Sequence, residues 1–126
     1  MSTKILVVDD EADVQDLFMQ RFRSEIRHQL MEFAFAFSGE EAVEYLNTNS
    51  HDSVLILSDI NMPGMSGIEL LKYIKQDYRK PPPVVMMITA YGDEENYAKA
   101  SQLGADEFIT KPIDFNELKA KLNKNG

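Results

Sequence analysis

A chain of 126 residues with 44% hydrophobic and 27% charged residues has the size and balance of a single globular domain. It contains no cysteine, which excludes disulfides and thiolate metal sites, and no apolar run approaches the roughly twenty residues of a membrane span. The formal net charge is −8, from 21 acidic and 13 basic residues, and nothing in the sequence reads as the basic face that a duplex-binding domain usually shows.

Met1-Ser2-Thr3-Lys4 leads straight into an apolar stretch with no signal-peptide cleavage pattern, so a cytoplasmic location is expected. Lys4 to Val8 is short, continuous and rich in β-branched residues, as a strand buried on both faces requires. From Asp13 the period changes to a helical one, with Val14, Leu17, Phe18, Phe22 and Ile26 predicted on the buried side of one helix that ends at His28. Met31 to Phe37 alternates large residues with alanine and predicts a second strand.

Ser38 and Glu41 form an S-x-x-E capping box ahead of Ala42, Val43 and Leu46. Val54 to Leu57 is a third strand that runs into Ser58-Asp59. Ser66 and Glu69 make a second capping box, opening a helix that buries Ile68, Leu71 and Ile74. Pro81 to Pro83 cannot continue a helix and precede strand four, Val84 to Thr89. A weaker helix from Asp93 to Leu103 closes at Gly104, strand five covers Glu107 to Thr110, and Asp114 caps a last helix with Leu118 and Leu122 inward.

Five βα units with apolar strands predict an α/β fold, a doubly wound parallel sheet with helices on both faces, since parallel strands need crossover connections. There is no internal repeat, low-complexity segment or dividing linker, so residues 1–126 read as one domain. In such a sheet the ligand site lies at the carboxyl ends of the strands. Strand one ends in Asp9-Asp10, strand three in Asp59 and strand four in Thr89, while strand five runs into Lys111. Three carboxylates, a hydroxyl and an ammonium thus converge on one rim.

Two carboxylates about 4 Å apart repel by roughly 4 kcal/mol at an effective dielectric near 20, so a trio requires a cation or protonation. The donors are all oxygens, which select a hard ion such as Mg²⁺, with Mn²⁺ as a substitute, and point to phosphoryl chemistry. A carboxylate can itself be the nucleophile and form an acyl phosphate. Asp59 is assigned that role because it stands alone at the end of the central strand, whereas Asp9 and Asp10 are adjacent and suit metal holding. Lys111 and Thr89 are placed to meet the phosphoryl oxygens. Alone, each residue has an ordinary role, as cap, turn residue, β-former or solvated charge. Their joint occurrence at successive strand ends carries the assignment.

The chain resembles a response-regulator receiver domain of the single-domain chemotaxis type, on Ile5-Leu6-Val7-Val8-Asp9-Asp10-Glu11, Ser58-Asp59-Ile60-Asn61-Met62-Pro63-Gly64-Met65-Ser66-Gly67, Ile88-Thr89-Ala90 and Lys111-Pro112. The resemblance implies a flavodoxin-like (βα)5 sheet of order 2-1-3-4-5 in a two-component phosphorelay. It implies phosphorylation of Asp59 by a histidine kinase or phosphotransfer protein, with Mg²⁺ held by Asp10, Asp59 and the backbone carbonyl of Asn61, and with Asp9 acting mainly through water. Thr89 and Lys111 match the phosphoryl contacts, Lys111-Pro112 a cis peptide bond, and Phe108 an aromatic whose rotamer couples to Thr89. A downstream target on the face of the fourth helix, fifth strand and fifth helix follows, together with dimerisation on phosphorylation and no direct nucleic-acid or membrane binding.

Asn61 and Tyr91 occupy positions that modulate acyl-phosphate hydrolysis in the family, and Phe108 lacks a hydroxyl. His28 and His51 are poor internal donors, one at a helix end and one in a polar turn. A phosphorylation-independent module with the same shell is the alternative. A phosphatase of the haloacid-dehalogenase type needs an acid where Asn61 stands, and no Walker loop for a nucleotide hydrolase is present. The expectation is a signalling switch rather than a turnover enzyme. The end at Gly126 suits both a stand-alone relay and a receiver that precedes an output domain.

Overall fold

The computed structural model describes residues 3–48, 54–77, 84–90 and 92–125. In chain order the elements are β1 (Thr3–Val8), α1 (Asp13–Arg21), α2 (Arg23–Arg27), β2 (Met31–Ala36), α3 (Gly39–Thr48), β3 (Val54–Asp59), α4 (Gly67–Lys72) with a π-helical turn (Tyr73–Asp77), β4 (Val85–Thr89), α5 (Glu94–Gln102), β5 (Glu107–Thr110) and α6 (Phe115–Asn125). The strands form one five-stranded sheet of order β2-β1-β3-β4-β5, and every pairing is parallel. That is the expected doubly wound topology. Among the described residues no helix is long and apolar enough to cross a membrane.

The alternation of side chains along each strand divides the apolar residues between two cores. Leu6 and Val8 of β1 join Leu46, Ile56, Leu70, Leu71, Ile74 and Met87 on the face covered by α3, α4 and α5. Ile5 and Val7 join Phe18, Phe22, Leu57, Met86, Leu118 and Leu122 on the face covered by α1, α2 and α6. Both faces of β1 and β4 are therefore dry, which is why their sequences read as unbroken apolar runs.

The predicted first helix is two segments, divided at Phe22, whose φ of −106° and ψ of 18° are not helical. The fully buried Phe22 ring lies 5.7 Å from Phe18, 5.0 Å from Phe33 and 6.1 Å from Phe115, and this aromatic cluster fixes it off the helical path. Helical hydrogen bonds still run across the break, from Phe22 N to Phe18 O and from Ile26 N to Phe22 O. With this division, the predicted fourth-helix, fifth-strand and fifth-helix face corresponds to α5, β5 and α6.

Leu17, predicted inward, is 38% exposed at the edge of the buried stripe. Leu70 and Leu71 of α4 and Ile74 of the π-helical turn are fully buried, while Ile68 packs at the margin. The Ser66 capping box forms in full, with the Ser66 hydroxyl accepting from Glu69 N and the Glu69 carboxylate accepting from Ser66 N. The Ser38 box is shifted by one position, since Glu41 Oε1 accepts from Phe37 N rather than from Ser38 N. Asp114 caps α6 as expected, Asp93 caps α5 rather than beginning it, and Gly104 takes a φ of +97° just beyond α5. His51, Pro81 to Pro83 and Tyr91 lie outside the described residues.

Candidate functional site

The carboxyl ends of β1, β3 and β4 bring the predicted residues together. Parallel register sets Val8 beside Ser58 and Asp59 beside Ile88, so the residues closing each strand share one rim. Asp9, Asp59 and Thr89 are buried there and Asp10 is exposed. One carboxylate oxygen from each of Asp9, Asp10 and Asp59 lies within 4.8 Å of the other two. A set made only of carboxylate oxygens fits a hard, oxygen-seeking cation and does not suit a soft one.

Lys111 supplies the counter-charge. Its Nζ donates to Asp59 Oδ2 at 2.8 Å, and its backbone N–H donates to Thr89 O at 2.8 Å, which pins the residue to the end of β4. The Lys111–Pro112 peptide bond is cis. Asp59 Oδ1 accepts from Asn61 N at 3.3 Å, and Asp9 Oδ1 accepts from Glu11 N at 2.9 Å. Both buried acids are thus held by the backbone of the loops that leave their own strands.

Burial raises the Asp9 carboxyl above the usual carboxylate range; the Glu11 N–H opposes this, and the neighbouring Asp59 charge adds to it. Burial acts to lower the Lys111 ammonium, but the hydrogen bond and charge of Asp59, with help from Asp9 and Glu11, more than offset it and hold the group above its ordinary value. Asp59 thus favours the charged form of Lys111, while the charge on Asp9 is disfavoured chiefly by burial.

Gly67, the first residue of α4, enters the sequence reading only as the end of the stretch from Ser58 to Gly67, with no role in the site. A Cβ there would fall on the Asp59 carbonyl oxygen and 2.7 Å from Ile60 Cα, so only glycine lets the helix start this close to β3. Sequence reading also missed Glu40, whose Oε2 accepts from Met65 N at 3.4 Å and so ties the start of α3 to the loop after Asp59. Periodicity marks Glu40 only as an exposed helical acid and carries no sign of a contact 25 residues away.

Phe108 sits on β5 beside Met87, partly buried, with the Tyr97 ring stacked on it at 4.2 Å and 34°. Tyr97 itself is 50% exposed. On the α6 side, Lys121 Nζ donates to Phe108 O at 2.9 Å and to Glu107 Oε2 at 3.3 Å. Next to the acidic rim an open groove of about 880 Å³ runs along α1 and the loop after β5, lined by Glu11, Val14, Leu17, Lys111, Ile113 and Phe115.

The family model for the response regulator receiver domain matches residues 5–123. The chain belongs to that family. The receiver is 35% identical over 125 residues to the phosphate regulon transcriptional regulatory protein PhoB of Pseudomonas aeruginosa, an alignment covering 94% of this chain and 49% of PhoB. It therefore spans about half the length of that relative. Among solved structures it resembles a response regulator receiver protein from Pseudomonas putida, with a TM-score of 0.84, 26% identity and 98% of each chain covered. It also has the fold seen in a co-crystal of the Saccharomyces cerevisiae histidine phosphotransfer signaling protein Ypd1 with the receiver domain of its downstream response regulator Ssk1 (TM-score 0.80, 24% identity, covering 99% of this chain and 89% of the matched chain). The protein is thus a receiver domain of the two-component type, the fold and family expected from its strand-end residues.

Proposed function

We propose that this receiver accepts a phosphoryl group on Asp59 from a protein phosphohistidine and thereby switches a partner-binding face. The observation that carries the reading is the 2.8 Å contact of Lys111 with Asp59 inside a cluster of three carboxylates. An Asp59 oxygen attacks the donor phosphorus in line, the P–O bond forms as the P–N bond breaks, and the imidazole leaves with the electron pair and takes up a proton from solvent. Lys111 holds Asp59 in position and then neutralises the charge on the transferred oxygens. Thr89, at the end of β4, offers its hydroxyl to another of those oxygens.

Asp9, Asp10, Asp59 and the Asn61 carbonyl are the groups that would hold Mg²⁺, or Mn²⁺ in its place, with Asp9 acting through water. When bound, the ion supplies positive charge for the phosphoryl oxygens. The donor is a histidine kinase or a phosphotransfer protein of the kind that Ypd1 is, and the open groove along α1 is where such a protein can approach Asp59. Thr89 and Phe108 relay the change to the α5–β5–α6 face, where a downstream target or a second phosphorylated copy docks. Asn61 and Tyr91 set how long the acyl phosphate lasts. The product is a signal held on the protein and not a released molecule, and the place of action is the cytoplasm.

Incubation with acetyl phosphate and Mg²⁺ tests the reading. One alkali-labile phosphoryl group should be added per chain, and none to Asp59→Asn. Equal labelling of that variant and the wild type sinks it.

A further inference from the structure

The outer face of α1 and α2 carries a charge pattern that nothing in the phosphoacceptor reading uses. Asp13, Asp16 and Gln20 of α1 follow one another at spacings of three and four residues, and Arg23 and Arg27 of α2 continue that spacing past the break at Phe22, across which the helical hydrogen bonds persist, so the five share the outward side of the segment. All five are exposed, opposite the buried side formed by Phe18 and Phe22. The stripe is acidic at one end, basic at the other and uncharged at its centre. Two of the large apolar residues exposed on the chain, Leu17 at 38% and Met19 at 42%, flank it.

The remaining charges of the segment are engaged elsewhere. Glu25 pairs with Lys119 at 3.2 Å, and the Arg21 guanidinium lies 5.3 Å from the centre of the Phe115 ring. Among the described residues no ion pair is formed by Asp13, Asp16, Arg23 or Arg27. The helix dipole favours acids early and bases late. It does not require them to line up on the outward stripe, and that alignment makes the surface complementary to itself.

We propose that α1 and α2 form an antiparallel interface with the same helices of a second copy of this chain. In a two-fold arrangement centred on Gln20, Asp13 faces Arg27 of the other copy, Asp16 faces Arg23, and the two Gln20 carboxamides can each donate to and accept from the other. Each copy makes the same contacts in reverse, which is the condition for a closed dimer. Leu17 and Met19 contribute the apolar margin. A parallel arrangement would set like charges against each other, so the pattern selects the antiparallel one. Leu17 also lines the groove beside Asp59, so pairing would bring the second copy against the surface a protein phosphodonor needs. That consequence rests on the phosphoacceptor reading; the pairing itself does not.

Sedimentation velocity on the full chain, over a series of concentrations and at about 10 mM and about 1 M salt, tests the pairing, because the screening length falls from about 30 Å to about 3 Å between those conditions. A concentration-dependent dimer is expected at low salt and a monomer at high salt. Asp16→Arg alone and Arg23→Glu alone should each stay monomeric at low salt. An equimolar mixture of these two variants should regain the dimer, since each cross pair is again opposite in charge, and so should the double variant. Unchanged circular dichroism and unchanged labelling by acetyl phosphate establish that the variants are folded. A wild type that remains monomeric at low salt overturns the proposal. So does a dimer indifferent to salt and to both reversals, or a mixture that stays monomeric.

Discussion

The ammonium of Lys111 lies 2.8 Å from Asp59 Oδ2 and is held above its ordinary pKa by that partner and by Asp9 and Glu11. A fixed cation beside the proposed nucleophile stabilises charge that grows on the transferred oxygens, and loss of one such group costs about 100-fold or more in rate. Lys111→Met should therefore slow labelling by acetyl phosphate by roughly that factor. Lys111→Arg should recover part of it, because charge is kept while the fork geometry differs. Rapid-quench measurement of the labelled fraction gives both rates.

Asp9 is buried and its carboxyl is raised above the usual range chiefly by that burial. A raised folded pKa means that the ionised form opposes folding at neutral pH, and its contribution improves only as pH falls toward the unfolded value of 3.8. Asp9→Asn removes the charge and keeps an oxygen for the Glu11 N–H. Without divalent metal it should stabilise the protein by on the order of 1 kcal/mol, or about 3 °C in melting temperature. The same variant should weaken Mg²⁺ binding, so calorimetric melting with and without Mg²⁺ separates the two effects.

Mg²⁺ should in turn raise the melting temperature of the wild type. A ligand at 100 times its dissociation constant adds about 2.7 kcal/mol. Asp10→Ala should abolish most of this rise with little effect on the metal-free midpoint, since Asp10 is exposed. A shift that survives in Asp10→Ala places the ion elsewhere.

Gly67 and Gly92 make a matched pair. A methyl group at Gly67 meets the backbone of Asp59 and Ile60, which cannot step aside without moving β3, whereas at Gly92 nothing lies within 4 Å and only the positive φ of +85° opposes a side chain. Gly67→Ala should cost about 3 kcal/mol or more and impair labelling of Asp59, while Gly92→Ala should cost about 1 kcal/mol. Urea denaturation of the two variants gives the comparison.

The sheet was legible because β1, β3 and β4 are buried on both faces and so leave uninterrupted apolar runs, and because α3 to α6 each start at a capping side chain, whereas α1 and α2 do not. The grouping of Asp9, Asp10, Asp59, Thr89 and Lys111 was legible because a parallel sheet places every strand end on one rim, which makes them neighbours without any knowledge of distances. What escaped depends on third parties. The break at Phe22 comes from rings on β2 and α6, and the exposure of Leu17 from where the buried stripe happens to end. The need for glycine at position 67 comes from how close α4 approaches β3. No local pattern in the sequence encodes such long-range constraints, and helical spacing alone passes over all three.

Lys121 joins the backbone of β5 to α6, donating to the carbonyl of Phe108 and to Glu107 through one nitrogen. A charged lysine head that bonds a strand carbonyl at 2.9 Å resists separation of the two elements, because moving them apart breaks that bond. A displacement of β5 at Phe108 would then pull on α6 through Lys121, as a tilt of the helix. On the proposal that Asp59 is the phosphoacceptor, such a tilt would carry its state to a partner bound along α6 that does not touch Phe108.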